Sequence, residues 1–92
     1  MTIQRLHVGP TLSEVAIHRG TIYLAGQVAD DTSQDIAGQT REVLGHVDRL
    51  LQEAGSDRSR ILMCQIYLPD LADFAAMNTV WNEWVTPGQT PP

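Results

Sequence analysis

The stretch Arg60–Asp70, "RILMCQIYLPD", constrains the fold of this chain more than any other. It reads as a strand stopped by Pro69. Side chains of a strand alternate between two faces. Leu62, Cys64, Ile66 and Leu68 make one wholly apolar face, while Ile61, Met63, Gln65 and Tyr67 make a mixed one. A strand that is apolar on both faces expects cover on both sides.

The rest of the chain provides one such cover. "TIQRLHV" has weak strand character and ends at Gly9-Pro10. "SEVAIHRGTIYLAGQV" reads as a hairpin, with Val15 and Ile17, then Ile22 and Leu24, on alternate positions. Gly20 is placed where a tight turn wants positive φ. Gly26 interrupts the second strand, which marks a bulge or a close approach by another group. After the polar loop "DDTSQD", Thr32 or Ser33 is expected to cap a helix, with Asp35 in its first turn. Ile36, Val43, Leu44, Val47, Leu50, Leu51 and Ala54 then recur at helical spacing, and Gly55 is the expected C-cap. Gly38 and Gly45 inside that helix point either to close packing or to simple tolerance. Asp70 is the expected N-cap of a last helix whose stripe is Leu71, Phe74, Ala75, Asn78, Trp81 and Val85, widened by Met77, Val80 and Trp84. Pro87-Gly88 closes it.

The predicted order is β-β-β-α-β-α. Two helices cover one face of a small sheet, not both. The second face is therefore expected against another subunit, in a homo-oligomer. That also suits a chain of 92 residues, a single domain with a small core.

Charge narrows the partners. The net charge is -5 and all six basic residues are Arg. An acidic surface without a basic stripe argues against nucleic acid and against anionic membranes. No apolar run reaches the ~20 residues of a membrane span, and the first ten residues lack the apolar segment of a signal peptide. The single Cys64 permits neither an internal disulfide nor a multi-cysteine zinc site, and a reducing cytoplasm fits best.

Candidate chemistry is sparse. His7, His18 and His46 show no metal-ligand spacing, and without convergent carboxylates at i, i+4 no metal site is expected. Cys64 lies on the apolar strand face, where a thiol is buried and inert. Asp30-Asp31 reads as a solvated, helix-favouring pair rather than an acid–base pair. Trp81 and Trp84 read as core or subunit contact rather than as an exposed platform. No phosphate-cradling glycine loop is present. Asn78 is placed on an apolar stripe. A buried amide without partners costs about 1–3 kcal/mol, so it either makes a structural bond or lines a site.

Three stretches together carry a resemblance: "IYLAGQVADD", "ILMCQIYLPDLADFAAMNTVWNEWV" and "GQTPP". They resemble the reactive intermediate deaminase family (RidA, or YjgF-type), most of all its YoaB-like branch. The resemblance implies a single domain over residues 1–92 with an α+β, chorismate-mutase-like fold, assembled as a homotrimer with active sites in the clefts between subunits. It implies hydrolysis of reactive enamines and imines such as 2-aminoacrylate to 2-keto acids and ammonia, as by a 2-iminobutanoate/2-iminopropanoate deaminase, with no metal or organic cofactor. Carried over onto this sequence, the substrate-binding positions are Ala25, Gly26, Asn78 and the Thr90–Pro92 loop, Pro92 included. Ala25 stands where the family motif has Ser, and Leu12 falls where the family has a Tyr. In that family an Arg directly after the Pro-bearing loop binds the substrate carboxylate, and a later strand supplies a Glu that orients water. The sequence stops at Pro92, so the resemblance implies a chain short of that Arg and of two strands, inactive as given. A non-catalytic trimeric small-molecule-binding or protein-protective relative is the second reading. A ligand-sensing α+β regulatory domain, dimeric and with ferredoxin-like strand order, is the third.

Overall fold

The computed structural model describes residues 2–92. Strands β1 (Gln4–Val8), β2 (Ser13–His18) and β3 (Thr21–Leu24) form an antiparallel meander in the order β1-β2-β3. Its register pairs Leu6 with Val15 and Val15 with Leu24. That row places Val15 in the middle of the sheet, where it is completely buried. The β2–β3 turn is the predicted two-residue one. Arg19 and Gly20 both have positive φ, 52° and 79°, as a hairpin turn matching the strand twist requires.

Helix α1 (Ile36–Glu53) is capped differently from the expectation. Asp35, not Thr32 or Ser33, is the N-cap, and its carboxylate accepts from the Gly38 N–H at 2.9 Å. An Asp side chain reaches the third amide of the first turn from this position, so the cap begins where the polar loop ends. At the other end Ala54 is the C-cap and Gly55 takes the left-handed conformation one position later, at φ 83°. Ser56 N–H bonds Leu51 C=O and Gly55 N–H bonds Gln52 C=O, closing a Schellman motif. Gly38 is tightly enclosed, because a Cβ there would come within 2.7 Å of Gln34 Oε1, whereas Gly45 faces open space.

A single 3₁₀ turn, Leu71–Asp73, precedes helix α2 (Phe74–Trp84). Asp70 caps that turn, accepting from the Ala72 N–H at 2.9 Å, so the cap is where it was expected but serves a tighter turn. The buried side of α2 is rotated from the predicted stripe. Met77 and Val80 are buried, while Leu71 is 83% exposed and Phe74 and Ala75 also face outward. The reason is the partner. α2 packs mainly on α1, and α1 in turn reaches β3. The core thus runs through Leu44, Leu50 and Leu51 of α1 and Met77 and Val80 of α2. α2 meets α1 far more than it meets the described sheet.

That pair is clamped at its polar edge. Trp84 Nε1 donates to Asp48 Oδ2 at 2.9 Å, and Arg58 Nη2 pairs with the same carboxylate at 3.1 Å. The Arg58 guanidinium also lies 5.1 Å from the Trp84 ring centroid, and Trp81 meets Trp84 at 5.6 Å. Both tryptophans are half-buried in this clamp and do not form an exposed platform.

Residues 61–68 do not form the expected fourth strand. They have no strand partner among the described residues, and Leu62 and Tyr67 are 76% and 85% exposed. An alternating sequence becomes a strand only when a neighbour takes its backbone N–H and C=O groups. The meander β1-β2-β3 also has no helix between its strands, which departs from the split βαβ order of the third reading.

Candidate functional site

The sheet ends where the resemblance places the site. β3 stops at Leu24, so Ala25 and Gly26 leave the sheet instead of interrupting it. Ala25 N–H still bonds Glu14 C=O at 2.9 Å, which holds the exit against β2. Gln27 Nε2 donates to Ala25 C=O at 3.1 Å and to Glu14 Oε2 at 2.8 Å, turning the chain away. The result is a cavity of 310 Å³ lined by Glu14, Gly26, Gln27, Val28, Asp30, His46 and Arg49. Gly26 is exposed, and a Cβ there would meet nothing within 4 Å. Any group that approaches this backbone closely therefore comes from outside the described residues.

The other expected site residues lie elsewhere. Asn78 and Pro92 line neither this cavity nor a second one of 240 Å³ between α1 and α2. Asn78 is half-buried on α2, and Pro92 is exposed. The structure thus joins Gly26, with Ala25 beside it, to the cavity and leaves Asn78 and Pro92 apart.

A second group of side chains meets at the cavity rim. Glu42 and His46 are one turn apart on α1, and Asp30 reaches them from the loop. His46 Nε2 lies 3.3 Å from Glu42 Oε2 and 3.4 Å from Asp30 Oδ2. The Glu42 carboxylate is held in turn by the Asp30 N–H at 2.5 Å and by Gln34 Nε2 at 2.8 Å. The amide of Asp30 is the main cause that holds the Glu42 carboxyl below its ordinary range. This corrects the expectation that no histidine has a carboxylate at ligand spacing. The signal was in the sequence as "EVLGH", Glu42 and His46 at i, i+4.

Asp31 is a structural residue, as expected. It accepts from the Ser33 hydroxyl at 2.5 Å and the Ser33 N–H at 3.0 Å, which lower its pKa in that order. Cys64 is only half-buried, and burial pushes its thiol pKa up, away from nucleophilic character. His7 takes a left-handed φ of 53°, and its Nε2 donates to Glu53 Oε2, tying β1 to the end of α1. No helix among the described residues is long and apolar enough to cross a membrane.

Comparison with known proteins gives these features a context. The sequence model of the family described as endoribonuclease L-PSP matches residues 2–92. A RutC family protein of Haemophilus ducreyi is 47% identical over 90 residues, 98% of this chain and 77% of that protein. The RutC family protein YoaB of Escherichia coli is 41% identical over 99% of this chain and 79% of its own length. Among solved structures, a YjgF family protein of Neisseria meningitidis superposes with a TM-score of 0.95 at 42% identity, covering 99% of this chain and 76% of that one. An uncharacterized protein of Pseudomonas aeruginosa superposes equally well, TM-score 0.95 at 46% identity, over 98% of this chain and 78% of that one. The α+β fold is the one these structures share.

Proposed function

We propose, from the premise that this chain belongs to the endoribonuclease L-PSP family (the RidA, YjgF and RutC proteins), that it is the subunit of an enamine and imine deaminase. The substrate class is 2-aminoacrylate and related 2-imino acids. The enamine tautomerises to the imine, water adds to the C=N carbon, and the resulting carbinolamine expels ammonia to leave the 2-keto acid. The observation that carries this reading is the strand exit at Ala25-Gly26, which opens onto the 310 Å³ cavity in a chain matched to the family over residues 2–92.

The requirements are simple. A planar, carboxylate-bearing substrate needs close backbone approach, a cation and a positioned water. Gly26 offers backbone that no side chain obstructs. Glu14 is an acceptor on the cavity wall, oriented by Gln27, and Arg49 is a cation on the same wall. The strong carboxylate clamp of the family is an Arg directly after the Pro-bearing loop, so turnover is assigned to a chain in which Arg follows Pro92. The exposed apolar residues Leu62, Met63, Ile66 and Tyr67, with Leu71 and Phe74, support a homotrimer whose neighbours cover them and complete the cleft at Asn78.

The test is keto-acid release from 2-aminoacrylate generated in situ. Residues 1–92 are expected to give background rates, and a version continued with Arg and two family strands is expected to give turnover that Gly26→Val abolishes. Turnover by residues 1–92 alone, or indifference to Gly26→Val, would contradict the assignment. Ala25, without the hydroxyl of the family motif, favours a second reading, a non-catalytic binding or protein-protective trimer. That reading predicts saturable keto-acid binding with no turnover in either version.

A further inference from the structure

We propose that Asp30, Glu42 and His46 form a three-ligand site for a zinc-class divalent cation at the rim of the Gly26 cavity. The site is independent of the deaminase reading, which needs no metal.

The donor set is the first ground. One imidazole nitrogen and two carboxylate oxygens are a normal zinc ligand set, and all three atoms lie within 4.8 Å of one another. With bonds of about 2.0–2.1 Å, the donors around a tetrahedral ion stand ~3.3 Å apart. His46 Nε2 already lies 3.3 Å from Glu42 Oε2 and 3.4 Å from Asp30 Oδ2. Both are longer than the about 2.7–2.9 Å of a charge-assisted N–H···O⁻ bond.

Preorganisation is the second ground. Glu42 and His46 share a face of α1 at i, i+4, as metal-binding helix pairs do. The Asp30 and Asp31 amides and Gln34 all donate to the Glu42 carboxylate, so the outer contacts orient this ligand before an ion arrives.

Access is the third ground, and it is separate from the cluster's own bonds. Asp30 and His46 both line the 310 Å³ cavity, and the Asp30 side chain is 85% exposed. Three protein ligands with a fourth position open to a cavity describe a site that binds an exchangeable water or anion, not a closed structural one. Glu14 and Arg49 are the other charged groups on that wall. Nitrogen and oxygen donors without thiolate favour Zn²⁺ over Cu⁺, and the imidazole disfavours Ca²⁺ and Mg²⁺.

The experiment is a titration of the chelator-stripped protein with Zn²⁺ against a chromophoric competitor, with Co²⁺ absorption reporting geometry. One ion per chain is expected, with the intense visible bands of tetrahedral Co²⁺. His46→Gln and Asp30→Asn are each expected to weaken binding by about tenfold or more, the size that even outer-contact changes reach. His7→Gln is expected to leave binding unchanged, and Asp30, on an exposed loop, keeps the test informative if the helix variant misfolds. Absence of saturation, or full affinity in Asp30→Asn, would overturn the site.

Discussion

At the scale of single residues, two glycines, one inside α1 and one just past its end, have opposite roles. Gly55 closes a Schellman motif at φ 83°, so Gly55→Ala places a Cβ in the left-handed region and is expected to cost about 1 kcal/mol. Gly45 faces open space inside the helix, so Gly45→Ala is expected to stabilise by roughly 1 kcal/mol. Urea midpoints of the two variants against the parent check both signs. Gly55 was legible in the sequence because a helix end has its own chemistry. Asp35 was legible as a helix-start residue, but its rank over Thr32 and Ser33 was not. All three are good caps, and only the Gly38 amide, 2.9 Å away, decides among them. The Glu42–His46 pair was legible as spacing. Asp30 was not, because a loop residue twelve positions from Glu42 reaches it only through the folded turn.

At the scale of elements, hydrophobic spacing marked both helices but not which part of the broad apolar surface of α2 is buried. Leu71, Phe74 and Ala75 are as periodic as Met77, Val80 and Trp84, and periodicity does not say which stripe meets the neighbouring helix. Met77→Ala is expected to cost about 2–5 kcal/mol in thermal or urea unfolding, since Met77 sits between the helices. The loop before α1 depends on pH. Glu42 and Asp31 are ionised below their ordinary range by the Asp30 amide and the Ser33 hydroxyl respectively. Their stabilisation is therefore complete above the ordinary carboxylate range and is lost as pH falls through the lower native values. Glu42→Gln is expected to flatten that acid limb in a stability-versus-pH series, while a curve identical to the parent's would contradict the role of the Asp30 and Gln34 bonds. The segment 61–68 carries the wider lesson. Its alternation promised cover on two faces, yet an alternating sequence names no partner, and here its apolar residues stand exposed.

At the scale of the whole molecule, the sheet, helix pair and cavity belong to one chain, and the apolar surface of residues 62–74 asks for another. Family membership was legible from three motif stretches because they fix a strand exit, a helix entry and a Pro-bearing loop together. A cleft between subunits was implied with them, but which residues of one chain share a cavity was not legible, and Asn78 and Gly26 do not. In the proposed trimer they meet between subunits. Leu62→Arg is expected to weaken association by burying an unpaired charge. The most direct measurement is the molar mass in solution by light scattering. A mass of three times the 10.2 kDa chain is expected, shifting toward one chain in Leu62→Arg. A clean single-chain or two-chain mass for the parent would contradict a site completed in a trimer.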